Sequence, residues 1–261
     1  MKKIGKDEYA AAFGFLSAHE TDSLNMLGFL EYNETPDIWI GGNPVDCVVI
    51  RKKDTDMFFI NAYSDESILS AAKEIFSLSE KVFFSGVRKE IADKLLALAD
   101  KTDEDLLHDD CLLYLYPEKT IDVSDIPENV RPVDISCAET LDYFYTYRSQ
   151  DSLEKIKKEI SSRPSAATYI DGEIACWSLI HEDGSMGAMF TKPQYRHGNL
   201  AVNTSKYLIS QQLARGKTPF VHIVDINTPS IKLAEKIGLK YAYPVVWFEA
   251  SFKNISEKTQ P

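Results

Sequence analysis

The sequence predicts a mixed α/β chain built around mixed sheets, and three observations lead there. Apolar residues recur at helical spacing in some stretches and at alternate positions in others, and the two patterns interleave along the whole chain. Near the middle, residues 116–132 ("YPEKTIDVSDIPENVRP") break that periodicity with three prolines and several acids. After the break the runs follow the order β-α-α-β-β-β-α-β-α-β. At 261 residues the chain is long enough for two domains of ordinary size. They are expected at 1–122, an N-terminal α/β domain, and 123–261.

In the first half, residues 7–32 ("DEYAAAFGFLSAHETDSLNMLGFLEY") carry helical periodicity. Three short runs rich in β-branched and aromatic residues, "DIWIGG", "VDCVVIRK" and "MFFINAY", read as strands. A helix "ESILSAAKEIFSLSE", a strand "KVFFSGV", a helix "RKEIADKLLALADK" and a strand "DCLLYLY" complete it.

In the second half, "VRPVD" reads as a strand, followed by helices over "CAETLDYFYTYR" and "DSLEKIKKEISSR". "AATYIDGEIACWSLIHEDGSMGAMFT" alternates apolar and polar residues around Asp171-Gly172 and Asp183-Gly184, the pattern of a three-strand meander. A loop leads into a helix, "NLAVNTSKYLISQQLARG", whose stop signal is Gly216. Then come a buried strand "TPFVHIVDIN", a helix "SIKLAEKIG" closed by Gly238, and a strand "KYAYPVVWFEASF".

Composition narrows the function classes. A net charge of −11 argues against a nucleic-acid partner, since electropositive surface supplies most non-specific affinity for phosphate backbones. It suits a cationic small molecule or a basic peptide. Cys47, Cys111, Cys137 and Cys176 lie far apart with no metal-ligand spacing, so no metal is expected and they read as scattered thiols. Lys6, Asp7 and Glu8 interrupt the N-terminal run before "YAAAFGFL", which reads as a helix rather than a signal peptide. No apolar stretch approaches the ~20 residues of a membrane span. The expected location is the cytoplasm, with no membrane partner, as a monomer or homodimer.

The loop "TKPQYRHGNLAVNT", residues 191–204, joins a strand end to a helix start. Such a junction aims unpaired backbone N–H groups at one spot, and the helix dipole adds positive potential there. Arg196 and His197 add cationic side chains, so a pyrophosphate is a suitable guest; a solvated surface turn is the other reading.

Loop and element order together resemble the GCN5-related N-acetyltransferase (GNAT) superfamily from about residue 130 to residue 252, and "MFTKPQYRHGNLA" is similar to its glycine N-acyltransferase-like branch. "NTPSIKLAEKIGLKY" resembles a second landmark of the superfamily, an Asn-x-x-Ser/Ala-x-x-Leu-Tyr-x-x-x-Gly-Phe segment. The resemblance implies acetyl-CoA or another acyl-CoA as cosubstrate and an amine as acceptor. It implies cofactor contacts at Met189, Phe190, Thr191, Arg196, His197, Gly198, Asn199, Leu200 and Ala201, with Asn227 and Ser230 near the pantetheine arm. Two departures stand out. Asn199 occupies the loop's central glycine position, with Gly198 one residue early; asparagine tolerates the left-handed region better than most residues. Ala234 stands where a tyrosine general acid is common, so that role does not carry over.

Transfer to an amine also needs a group that removes its proton. The strand before the loop holds no carboxylate, which leaves Glu173, His181, Glu182 and His222 as candidates, each with a plain structural alternative: turn residue, strand end or core histidine. Asp183 reads as a turn residue and Cys176 as packing. Tyr241, Tyr243, Trp247, Phe248 and the "YFYTY" run read as core or as an aromatic acceptor wall. The first half lacks the coenzyme loop but loosely resembles a degenerate copy of the same fold. The leading expectation is acyl-CoA-dependent N-acyl transfer, most simply N-acetyl transfer, to a small-molecule or peptide amine. A non-catalytic acyl-CoA-binding or scaffold protein is the alternative, with aminoacyl transfer from aminoacyl-tRNA disfavoured by the acidity.

Overall fold

The computed structural model describes residues 1–33, 35–99 and 106–251. The expected helix end at residues 100–101 and strand end at residue 252 lie outside them. Two compact units result: Met1–Leu113 joined by the described residues from Tyr243 to 251, and Tyr114–Ala242.

The first unit contains β1 (Lys2–Ile4), α1 (Tyr9–Ala18), α2 (Glu20–Tyr32), β2 (Asp37–Gly41), β3 (Cys47–Arg51), β4 (Met57–Ala62), α3 (Asp65–Leu78), β5 (Lys81–Arg88), α4 (Lys89–Leu98) and most of β6 (His108–Leu115). The sequence did not predict β1: three residues, two of them lysines, show no alternation. Its register against β2 pairs Ile4 with Ile38, and Lys3 meets Asp37 at 2.7 Å. The single helical stretch over 7–32 is two helices, broken at His19, whose φ of −122° and ψ of 46° are non-helical. The apolar spacing runs through the break because Phe15, Leu16, Met26 and Phe29 all enter one core with Ile38, Ile50 and Phe59.

β2, β3 and β4 form an antiparallel ladder, and β4 joins β5 in parallel at Met57–Phe83 and Phe58–Phe84. On the far side of β5 lies residues 245–251 of the chain's last strand, antiparallel, with Phe248 opposite Phe84. The second core of this unit packs α3 and α4 on the other face, through Phe58, Phe84, Ile75, Leu95 and Phe248.

Two features close this unit's β4–β5 junction. Arg88, the last residue of β5, donates from Nη2 to the Ala62 carbonyl at 2.9 Å and sits 3.4 Å from Asp22, tying the ends of the two strands together. The N-terminus of α3 is supplied from within: Ser64 accepts from the Ser67 N–H, and Asp46 takes hydrogen bonds from Ser64 Oγ (2.7 Å) and Ser67 Oγ (2.5 Å). With Asp65 and Glu66 in the first turn, that helix end already carries its complement of negative charge.

The second unit contains β7 (Val130–Arg131), α5 (Ala138–Tyr143), α6 (Ser152–Ser162), β8 (Ser165–Ile170), β9 (Glu173–Ile180), β10 (Met186–Thr191), α7 (Leu200–Ala214), β11 (Phe220–Val224), α8 (Thr228–Lys236) and the start of β12 (Lys240–Ser251). The element order of the first half of the chain is thus repeated in the second. The helix expected over 137–148 shrinks to a 3-10 turn and α5. Past Tyr143 the run is aromatic and β-branched, a poor helix former, and Asp142 draws Arg148 Nε back to 2.9 Å and also receives Ser152 Oγ. β8, β9 and β10 form the expected meander, extended by β7 into an antiparallel sheet of order β10-β9-β8-β7. Asp171 and Gly172 both have positive φ, as a two-residue hairpin turn requires. Leu141, Ile156, Tyr169, Trp177 and Leu179 form the core between this sheet and α5 and α6.

Candidate functional site

β10 is an edge strand, and β11 runs beside it without pairing with it among the described residues. Its outer row of backbone N–H and C=O groups is therefore left without a ladder partner. Midway it also bulges. Gly187 pairs with Leu179 and Phe190 with Trp177, so Ala188 and Met189 together oppose Ser178. Ala188 has a φ of +48°, a conformation that costs a non-glycine residue about 1–2 kcal/mol. Packing holds it there: Phe190 stacks on Phe144 at 4.9 Å and tilts against Trp177 at 5.1 Å, while Ser178 Oγ donates to the Gly187 carbonyl at 3.0 Å. A bulge re-aims the backbone groups of its extra residue.

β10 runs from this bulge into the loop singled out in the sequence. Arg196 Nε donates to the Thr191 carbonyl at 3.2 Å, with its guanidinium over the Phe190 ring. His197 and Asn199 are left-handed, with φ of +69° and +58°, whereas Gly198 is not, and a Cβ there would meet nothing nearer than 3.7 Å. Asn199 is the N-cap residue of α7, yet among the described residues no side chain caps that helix; the Asn199 side chain turns aside and accepts from Lys236 Nζ at 2.8 Å. The first-turn N–H groups of a 15-residue helix thus meet the loop unclaimed by any capping side chain.

Asn227 uses its side chain to cap α8, accepting from the Ser230 N–H at 3.3 Å, while Ala234 is buried. Leu200 and Ala201 begin α7, Thr191 Oγ1 donates to Cys176 Sγ, and Met189 lies in the bulge with its sulfur 3.9 Å from Cys176. The Cys176 thiol is buried, which holds its pKa above the usual range.

The acid–base candidates separate. Glu173 is exposed at the start of β9, 3.8 Å from Lys192. Just past the other end of β9, His181 Nδ1 lies 3.2 Å from Glu159 Oε1 on α6, and Glu159 also meets Arg163 at 3.2 Å. Asp183, read in the sequence as a turn residue, is buried: Oδ1 accepts from Ser185 N–H and Oγ, and Oδ2 has no hydrogen-bond partner among the described residues. Asp183 acts on both His181 and His222. For His222, burial outweighs it and lowers the pKa; for His181, burial opposes the charged form, but Glu159 and Asp183 outweigh it and raise the pKa. Glu182 is half-buried. Glu159 and Arg163 were missed by the sequence reading, although both follow apolar Ile156 and Ile160 at helical spacing and so fall beside the buried stripe of α6.

A family model described as "FR47-like protein" matches residues 169–248, the meander, the loop and the strands and helices after it. The whole chain superposes on a Drosophila protein of known structure with a TM-score of 0.74, at 12% identity, covering 95% of this chain and 97% of that one. A GCN5-related N-acetyltransferase from Kribbella flavida gives 0.60 at 12% identity, covering 92% and 98%. The chain has the GNAT fold. A tandem GNAT protein of the clavulanic acid biosynthesis pathway matches over 95% of this chain and 97% of its own, with a TM-score of 0.55 at 11% identity. Full-length coverage by a tandem GNAT structure accords with the element order that this chain repeats. No curated protein matches the sequence. Among the described residues no cluster of three or more His, Cys, Asp or Glu could hold a metal ion, and no helix is long and apolar enough to cross a membrane.

Proposed function

We propose that this protein is an acyl-CoA-dependent N-acyltransferase, most simply an N-acetyltransferase, whose reaction is carried by the second unit of the GNAT fold. The observation that carries the reading is the unpaired edge of β10, bulged at Ala188 and Met189 and leading through the 192–199 loop to the N-terminus of α7, which no side chain caps among the described residues. An acyl-CoA carries an amide-bearing arm and a pyrophosphate. The free edge offers main-chain partners to the first, and the first-turn N–H groups with Arg196 and His197 offer partners and charge to the second. Asn199 stands in the position where glycine is usual and adopts the conformation glycine would supply.

The first unit supports the reading by contrast. Its β4 and β5 are paired and tied by Arg88, and the N-terminus of α3 is capped by Ser64 and faced by Asp46. We read it as a degenerate copy that keeps the fold without the coenzyme site. The acceptor is an amine of a small molecule or peptide, which the net charge of −11 helps to attract in its cationic form.

A non-catalytic acyl-CoA-binding protein is the second reading, favoured by Ala234, which offers no proton to a departing thiolate. Calorimetry with acetyl-CoA tests both: heat of binding at micromolar to millimolar concentration is expected, and its absence removes both. Release of free thiol when an amine is added then separates the enzyme from the binder.

A further inference from the structure

We propose that His181 is the catalytic base that takes the proton from the acceptor ammonium, with Glu159 as its positioning residue. The proposal rests on the acyl-CoA reading of β10. His181 leaves the end of β9 and lays its imidazole against β10: a methyl group built on Gly187 would come within 2.0 Å of Nε2. Gly187 is the last paired residue before the Ala188–Met189 bulge, so Nε2 lies over the backbone next to the place where the strand opens. The opposite ring nitrogen, Nδ1, faces Glu159 Oε1 at 3.2 Å. In the neutral imidazole that contact places the proton on Nδ1 and leaves Nε2 with its lone pair toward β10. The side chain is 31% exposed, so an acceptor can reach it, while Glu159 at 13% and Arg163 at 5% form a largely buried support.

The absence of a side chain at Gly187 is what admits the ring. Elsewhere in β10 the side chains are methionine, alanine, phenylalanine and threonine, none of which can take a proton at neutral pH. The charged groups that act on His181 are Glu159 from α6, Arg163 just after it and Asp183 from the following turn; Tyr145, after α5, lies by Glu159, and His222 from β11 by Asp183. Desolvation opposes the charge, but the carboxylates outweigh it and the arginine, which raises the imidazole pKa and moves the acidic limb of activity upward from the ordinary histidine value.

The step balances as follows. One proton of R–NH3+ passes to Nε2, and the freed nitrogen lone pair forms a bond to the thioester carbonyl carbon. The C–S bond breaks, the sulfur leaves with the bonding pair, and it takes up the second nitrogen proton to give the free thiol. His181 then returns its proton to solvent.

Two nucleophiles test it. Propylamine is a cation near pH 7 and needs a base; hydroxylamine is mostly neutral there and needs none. Thiol release from acetyl-CoA is measured with each, on the wild type and on His181→Gln, with acetyl-CoA binding measured in parallel. The expected result is loss of roughly 100-fold or more with propylamine, while turnover with hydroxylamine and binding change less than about threefold. Gly187→Ala, which pushes the ring aside without removing it, is expected to reproduce the loss with propylamine. Glu159→Gln should move the acidic limb to lower pH. Equal loss with both nucleophiles, no loss with either, or a wild type that uses hydroxylamine but not propylamine overturns the proposal. A wild type that binds no acetyl-CoA and releases no thiol with either nucleophile overturns the acyl-CoA reading instead.

Discussion

Phe84 and Phe248 stack with their ring centroids 4.8 Å apart and their planes 21° from parallel, both fully buried in one core. They lie opposite each other on β5 and β12, so a strand from the end of the chain completes the sheet of the first unit. Phe248→Ala is expected to destabilise that unit by about 3–5 kcal/mol, because it removes the ring and leaves a cavity on an interior sheet strand. Hydrogen exchange of the β3, β4 and β5 amides measures it. Unchanged protection in those strands with increased exchange confined to β12 would contradict the prediction.

Asn199 is left-handed at the entrance to α7, with its side chain held by Lys236. Asn199→Gly supplies the same backbone conformation at no steric cost and is expected to keep or tighten coenzyme A binding. Asn199→Ala retains a Cβ without the polar side chain and is expected to cost about 1 kcal/mol of stability and to weaken binding. Paired calorimetry of the two variants checks this. Binding weakened equally in both variants would show that the Asn199 amide itself, and not its backbone conformation, serves the ligand.

Arg196 is anchored through Nε to the Thr191 carbonyl, which leaves its terminal amino groups for an anion. Arg196→Ala is expected to weaken coenzyme A binding about tenfold or more, since hydrogen bonds to charged groups contribute roughly 1.5–3 kcal/mol. Raising the salt concentration should narrow the difference between wild type and variant. A salt-independent loss would assign Arg196 to loop structure rather than to the phosphate.

The helix cap in the first unit is a stability feature on this reading. Ser64→Ala is expected to cost about 1 kcal/mol by removing the cap of α3 and one donor to Asp46. Urea unfolding reports it, and coenzyme A affinity should stay unchanged. Altered affinity would show that the first unit takes part in binding.

Much of this architecture was legible because each signal was local. The Asp-Gly turns set the β8–β9–β10 meander, and Asn199 was the residue type best suited to replace a left-handed glycine. What stayed hidden depends on partners distant in sequence. Alternation identified "KYAYPVVWFEASF" as a strand, but a period of two does not say which edge it joins. "MGAMFT" reads as an even strand, and the bulge at Ala188 arises from the packing of Phe190 against Phe144 and Trp177. Glu159 and Arg163 read as an ordinary helical ion pair at i,i+4; only the fold brings His181 to the same carboxylate. Asp183 looked like a turn residue and is one, yet its burial turns it into a charge that acts on two histidines.

Those two histidines bias the pH dependence of stability in opposite directions. Burial disfavours the charged form of His222, so its pKa is lower folded than unfolded, and the unfolded chain binds the proton more tightly. The stability it supports is complete above the ordinary imidazole pKa of about 6.5 and is lost as pH falls through the depressed value. His181 is the reverse. Burial works against its charge, but Glu159 and Asp183 prevail and raise its folded pKa, so its contribution is complete below the unfolded value and is lost as pH rises through the folded one. Urea unfolding from pH 5 to pH 8 should therefore show that His222→Asn flattens the loss of stability on the acid side, whereas His181→Asn flattens the loss above neutrality. The same slope change in both variants would mean that one of the two histidines titrates with the opposite sign.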